Sequence, residues 1–189
     1  MNAGPVRLET DRLVLIAPLD VEHAPAVADF YTRNRAHFAP WDPVRARSFF
    51  TKAHWREQLL LDAELLEEGV SARFFVTPRG SDRVVGHVHF ANVVYGAFQA
   101  CHLGFGIDAE LVGQGMMREA IEAGIAWVFA ELGLHRVEAN HRPENVRSGQ
   151  LLRRLGFVPQ GYARDYLHID GAWRDHVLTA LTNERWKGR

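Results

Sequence analysis

The stretch LGFGIDAELVGQGMMREA at residues 103–120 constrains this chain more than any other. It reads as a strand carrying two glycines, a loop carrying two more, and then a helix with no spacer. Gly104 and Gly106 weaken a strand unless something must lie close against its backbone, and a ligand along that edge is one such thing. Gly113 and Gly115 let the turn take backbone angles that expose successive N–H groups. With the unpaired first N–H groups of the following helix and its positive dipole end, those donors make a seat for a pyrophosphate. A lone GxG also fits an ordinary strand-loop-helix joint, so its surroundings must decide. A P-loop needs Lys followed by Ser or Thr after the second glycine, and Met116-Met117 stands there. A dinucleotide fold needs GxGxxG after the first strand of a parallel sheet, whereas this turn follows a meander.

The meander is read from a period of two over residues 72–77, 83–94 and 98–107, with turn signals PRGSD at 78–82 and Tyr95-Gly96 between the runs. Ahead of it, residues 12–17 alternate as a strand that stops at Pro18, and Asp20 caps a helix over 22–34. Residues 38–47, with Pro40 and Pro43 around Trp41 and Asp42, form a structured loop, and a second helix runs over 48–68 to Gly69. Behind the turn the pattern predicts a helix over 115–132, a strand over 136–140 and a short helix over 145–155 closed by Gly156. Two strands, 158–166 and 175–182, follow around the turn Asp170-Gly171. No linker or repeat interrupts the 189 residues, which therefore read as one α/β domain with a mixed sheet.

Charge and cysteine usage exclude several classes. With 22 Lys plus Arg against 23 Asp plus Glu, the chain lacks the basic footprint of a general nucleic-acid binder. Its apolar stretches fall short of the roughly 20 residues of a membrane span, and MNAGPVRLETDR holds no apolar signal core. A soluble, cytoplasmic protein with no membrane partner is expected. Cys101, the sole cysteine, lies in an apolar run and reads as a small buried hydrophobe rather than a nucleophile. The ten histidines match no zinc spacing. His87 and His89 share a strand face that a paired strand would extend with His102, and all three read as polar face residues; no metal is expected.

A second strand-turn-helix, HRVEANHRPENVRSGQLLRRLGF at residues 135–157, follows about thirty residues after the first. Two such elements in this order resemble the GNAT superfamily of N-acetyltransferases, whose members bind acetyl-CoA between two splayed parallel strands. The superfamily's pyrophosphate motif is Gln or Arg, two residues, Gly, one residue, then Gly or Ala. It falls on Val112 to Met117, with Val112 replacing the polar side chain and Met117 the small one. LETDRL at 8–13, PWDPVR at 40–45, ACHLGF at 100–105, RSGQLLRRLGF at 147–157 and GYARDYLHIDGAWRDHVLTAL at 161–181 are similar to the ribosomal-protein-alanine N-acetyltransferases of the RimJ type.

The resemblance implies a GNAT fold, an antiparallel meander plus the splayed pair, with acetyl-CoA as co-substrate. Backbone groups of Phe105, Gly106 and Ile107 would pair with the pantetheine arm, and Val112, Gly113, Gln114, Gly115, Met116 and Met117 would cradle the pyrophosphate. Asn145 would contact the pantetheine. The thiolate-protonating Tyr of many relatives falls on Leu152, so the resemblance passes that role to Ser148, the hydroxyl used in the RimL type; a helix-start Ser bonded to backbone is the plainer reading. The Glu that some relatives use as base falls on Asn140, which orients a water but takes no proton. Glu138 is the fallback base, against an ion pair with Arg136 or Arg142. Trp41 and Tyr166 are placed at a peptide mouth, and Asp165 beside a basic substrate tail.

Deprotonating an α-amine with a pKa near 8 costs about 1 kcal/mol at neutral pH, against roughly 4–5 for Lys. A site without a strong base therefore suits a peptide N-terminus. The implied function is acetylation of the N-terminal α-amine of a protein, a ribosomal protein starting with Ala or Ser. Acetylation of a small amine such as an antibiotic or polyamine is the enzymatic alternative, and a non-catalytic acyl-CoA-binding or ribosome-assembly role the other.

Overall fold

A computed structural model describes residues 5–188. In chain order the elements are β1 (Val6–Glu9), β2 (Leu13–Ala17), α1 (Ala24–Arg33), α2 (Arg35–Phe38), α3 (Lys52–Glu67), β3 (Ala72–Pro78), β4 (Gly86–Val94), β5 (Ala100–Ile107), α4 (Met116–Trp127), β6 (Arg136–His141), α5 (Val146–Arg154), β7 (Val158–Ile169) and β8 (Ala172–Thr182). The strands form one mixed sheet in the order β1-β2-β3-β4-β5-β6-β8-β7. Every neighbouring pair is antiparallel except β5 and β6.

Alternation along the strands sends successive side chains to opposite faces and so builds two cores. Phe74, Val76, Val88, Phe90, Leu103 and Val137 share one face with Ile121 and Ile125 of α4 and Leu152 of α5. Phe75 turns the other way, to Val27, Phe30 and Tyr31 of α1 and Trp55 and Leu59 of α3. By the same period His87, His89, His102, Gly104, Gly106, Glu138 and Asn140 belong to this second face. Gly104 is exposed there, so part of the face is open.

The elements match the expected order with instructive differences. β1 was not foreseen, because four residues of alternating exposure acquire their meaning only on pairing with β2. Asp20 does cap, its Oδ1 accepting from Glu22 N–H at 2.8 Å, but the helix opens as a 3-10 turn before ending at Asn34 as expected. Asn34 is buried and leaves the helix for a tertiary purpose: Nδ2 donates to Phe30 O and Oδ1 accepts from Ala109 N–H, both at 2.9 Å, anchoring the chain behind β5. The helix expected from residue 48 starts at Lys52, where Thr51 Oγ1 accepts from His54 N–H. The last two strands extend to Ile169 and from Ala172, tightening the hairpin to Asp170-Gly171.

Gly124 shows how closely α4 lies on the sheet. A Cβ there would stand 2.9 Å from Phe90 Cε2. Gly124→Val is expected to cost about 1–3 kcal/mol by overpacking, which for a domain of this size lowers the melting temperature by roughly 2–12 °C. Thermal denaturation followed by circular dichroism checks this.

Candidate active site

The parallel pair is short. Ala100, Cys101 and His102 face Arg136, Val137 and Glu138, and there the pairing stops. Beyond that point β5 continues on β4, with Gly104 opposite His89 and Gly106 opposite His87, while β6 continues on β8 as far as His141 opposite Val177. The two strands thus diverge, each held by its other neighbour. The bond from Asp108 N–H to Val85 O sets the phase of the β4–β5 ladder. Alternation then turns the backbone groups of Gly104 and Gly106 toward β4, and those of Leu103, Phe105 and Ile107 into the gap. At Gly106 the missing side chain has a local cause: a Cβ would meet His87 Cε1 at 2.7 Å and Phe38 Cε1 at 3.2 Å. Gly104 has nothing within 4 Å and keeps the gap open.

The loop from β5 delivers Val112 to Met117 to the head of α4. Gly113 and Gly115 have φ of 84° and 78°, which a side chain disfavours. Thr51 caps α3 and Asn145 caps α5, but α4 starts at Gly115 with no side-chain cap. Its first intrahelical bond runs from Glu119 N–H to Gly115 O, leaving the N–H groups before it without helical acceptors. Met117 sends its side chain into the core, so what it offers the turn is backbone.

The sequence reading missed Arg12. Its Nη1 donates to Gln114 O at 3.0 Å, its Nε to Glu119 Oε2 at 2.7 Å and its backbone N–H to Glu119 Oε1 at 2.9 Å. Burial pulls the Glu119 carboxyl upward, but hydrogen bonds from Thr10 and Arg12 outweigh it and hold the group below the usual carboxylate range. Arg12 thus fastens the turn and places a guanidinium within 3.6 Å of where a Gly115 Cβ would be. The sole signal was its place in the LETDRL tract; a contact more than a hundred residues away leaves no local period.

On the other side of the gap, Asn145 Oδ1 accepts from Ser148 N–H at 3.2 Å. That cap engages the Ser148 backbone, and among the described residues its half-buried hydroxyl makes no hydrogen bond. Leu152 is core. Asn140 Nδ2 donates to Tyr166 OH at 3.2 Å, and its Oδ1 accepts from Thr179 N–H at 3.3 Å, joining β6 to both strands of the last hairpin. Glu138 is taken up by Arg136 Nε at 2.7 Å and His102 Nε2 at 3.3 Å. Trp41 lies under the Arg142 guanidinium, 5.5 Å from its ring centre, while Arg142 Nη1 donates to Pro40 O at 2.6 Å. The loop carrying Trp41 is thereby tied to the corner between β6 and α5. Asp165 sits at an irregularity of β7 with φ of 47°, its N–H donating to Asp175.

Other groups are quiet. Burial and Glu138 push the Cys101 thiol up to about 12, out of the range of a thiolate nucleophile at neutral pH. Burial and the charge of Arg73 push His87 and His89 down to about 3, so both are neutral at neutral pH. Among the described residues no three His, Cys, Asp or Glu side chains come together to hold a metal ion, and no helix is long and apolar enough to cross a membrane. Two cavities lie on the α1–α3 face. An outer one of about 170 Å³ is lined by Phe38, Pro43, Val44 and Phe50, among others. An inner one of about 210 Å³ ends on Arg73, His87 and His89. Neither Trp41 nor Tyr166 lines them.

The sequence model of the acetyltransferase (GNAT) domain family matches residues 12–158, a span that holds both the splayed parallel pair and the uncapped, glycine-headed helix. The chain belongs to the GNAT acetyltransferase family. This GNAT acetyltransferase is 44% identical over 185 residues to the ribosomal protein uS5 alanine N-acetyltransferase of Escherichia coli, covering 98% of this chain and 95% of that one. Among solved structures it is similar to the ribosomal-protein-S5-alanine acetyltransferase of Vibrio fischeri. There the identity is 37%, the coverage 97% of this chain and 100% of that one, and the TM-score 0.92. The Mycobacterium smegmatis RimJ, solved in complex with CoA-disulfide, is 29% identical, with 98% and 88% coverage and a TM-score of 0.86. This GNAT acetyltransferase is thus matched along nearly its whole length, including the last hairpin, which lies mostly outside the family model.

Proposed function

We propose that this acetyltransferase transfers the acetyl group of acetyl-CoA to the N-terminal α-amine of a protein, a ribosomal protein that begins with Ala or Ser, in the cytoplasm. The observation that carries the reading is the gap between β5 and β6 together with the near full-length similarity to enzymes named for alanine acetylation of a ribosomal protein. Phe105 and Ile107 pair their free backbone groups with the pantetheine arm; Gly106, expected to join them, instead turns its backbone groups to β4 and packs against His87 and Phe38. Val112, Gly113, Gln114, Gly115, Met116 and Met117 receive the pyrophosphate on N–H groups at the positive end of α4, and Arg12 adds a cation beside them. Asn145, whose Nδ2 is not used in the cap, bonds the pantetheine. The amine nitrogen attacks the thioester carbonyl; a C–N bond forms and the C–S bond breaks. Ser148, with its hydroxyl unengaged, passes a proton to the departing sulfur and regains one through water from the amine nitrogen, which sheds a proton as the amide forms.

The acceptor class follows from how Glu138 and Asn140 of β6 are engaged. Glu138 is committed to Arg136 and His102, and Asn140, bonded to Tyr166 and Thr179, takes no proton. An α-amine is neutralised for about 1 kcal/mol, a Lys amine for roughly 4–5. Trp41 and Tyr166 flank the corner where the peptide enters.

A peptide with a free N-terminal Ala or Ser is expected to be acetylated at its α-amine, while the same peptide blocked at the N-terminus but carrying internal Lys is not. Mass spectrometry of both after incubation with acetyl-CoA decides it. Equal modification at Lys defeats the α-amine reading. Acetylation of neither, with rapid turnover of a small amine, moves the protein to the detoxifying branch of the family.

A further inference from the structure

The two cavities meet. Both are lined by Tyr31, Asp42, Arg45 and Phe49, so these four residues stand between the outer groove and the inner chamber. The chamber ends at His87 and His89, whose register partners are Gly106 and Gly104 of β5. Asp42 thus stands where the two cavities adjoin, and the inner one reaches His87, which packs against Gly106 of β5.

Asp42 is built unlike the other buried carboxylates. Asp62 is bonded by Gln58 and paired with Arg73, and Asp108 is held by Arg33 and Arg83. Asp42 has its backbone pinned at both ends, its N–H donating to Phe38 O at 3.0 Å and its carbonyl accepting from Asp170 N–H at 3.1 Å. Its half-buried carboxylate has no such support. The nearest cation is Arg45 Nη2 at 3.6 Å, beyond a good hydrogen bond, and that guanidinium also lies over the Phe49 ring, 4.6 Å from its centre. Burial outweighs Arg45 and raises the proton affinity of the carboxyl. A carboxylate removed from part of its water and held by a single guanidinium at 3.6 Å is only weakly supported, and a cation that supplies closer hydrogen bonds is bound well. Pro43, Val44, Phe49 and Phe50 give the outer groove apolar walls for the rest of such a ligand.

We propose that Asp42 receives the α-ammonium of the acceptor, holding it where the outer groove joins the inner chamber and orienting it toward β5. This rests on the α-amine reading above. Asp42 is on this account a substrate-binding residue, and Arg45 the cation with which the ammonium competes.

Binding to the CoA-loaded enzyme tests it, using an Ala-starting peptide and its desamino analogue, in which the ammonium is replaced by hydrogen. The wild type is expected to bind the amine peptide more tightly than the analogue. Asp42→Asn removes that preference and raises the peptide KM by roughly tenfold or more, with kcat changed less. The acetyl-CoA-induced rise in melting temperature stays as in the wild type. Asp42→Glu keeps part of the preference. Arg45→Gln keeps or enlarges it, because the competing cation is gone.

An undiminished preference in Asp42→Asn overturns the proposal, and so does an equal loss in Arg45→Gln, which would make the pair a prop for the loop. Should Asp42→Asn fail to fold, Asp42→Glu and Arg45→Gln decide on the same comparison. If the wild type acetylates only a small amine, the α-amine reading fails separately, and Asp42 is tested with that amine against its uncharged isostere.

Discussion

Gly115→Val is expected to abolish the rise in melting temperature that acetyl-CoA gives the wild type, while leaving the unliganded fold largely intact. Gly115 holds φ at 78°, and a side chain there has room, with only Arg12 Nη2 at 3.6 Å. The obstacle is the backbone. A β-branched residue in the left-handed region costs about 1–3 kcal/mol. The turn either accepts that strain or leaves the region and scatters the N–H groups proposed to receive the pyrophosphate. Strain of that size lowers the melting temperature of the free protein by roughly 2–12 °C. The wild type at a hundred times its dissociation constant gains about 2.7 kcal/mol. Differential scanning fluorimetry with and without acetyl-CoA separates the two effects; an undiminished ligand shift in the variant would remove Gly115 from the pyrophosphate seat.

Ser148→Ala is expected to lower kcat by roughly tenfold to a thousandfold with little change in affinity for acetyl-CoA. A donor to the leaving sulfur acts in the transition state and little in the ground state. The structure makes the variant a clean test. The Ser148 hydroxyl bonds to nothing among the described residues, and the Asn145 cap uses its backbone N–H, which Ala retains. Stability should therefore move by no more than about 0.5 kcal/mol. Steady-state release of CoA thiol measures the loss. Full activity in Ser148→Ala would assign thiol protonation to water, leaving Ser148 as a helix-start residue.

Much of the fold was legible because its signals are local. Gly69, Gly133 and Gly156 mark the ends of helical segments, and Asn145 and Asp20 cap by bonds within three residues. The meander announced itself by a period of two, which survives because one element's alternation is enough to bury it. The limits appeared where a residue serves a distant partner. Asn34 holds Ala109, β1 gains its identity from β2, and Gly106 is small because His87 and Phe38 occupy the space.

The candidate site divides along the same line. From its amino acids alone the chain declared a glycine-headed helix after a strand and a second strand-helix with Asn at its mouth, since each depends on residues within a few positions of one another. Tertiary structure decided the rest. It made the β5–β6 pair part after three residues because each strand is claimed by its other neighbour, and it clamped the turn with Arg12 and Glu119. It also committed Glu138 to Arg136 and His102 and left Asp42, between two cavities, with Arg45 alone as its side-chain partner. Those outcomes depend on which groups meet across the fold, and a carboxylate's partners, unlike a helix's period, are not written in its neighbours along the chain.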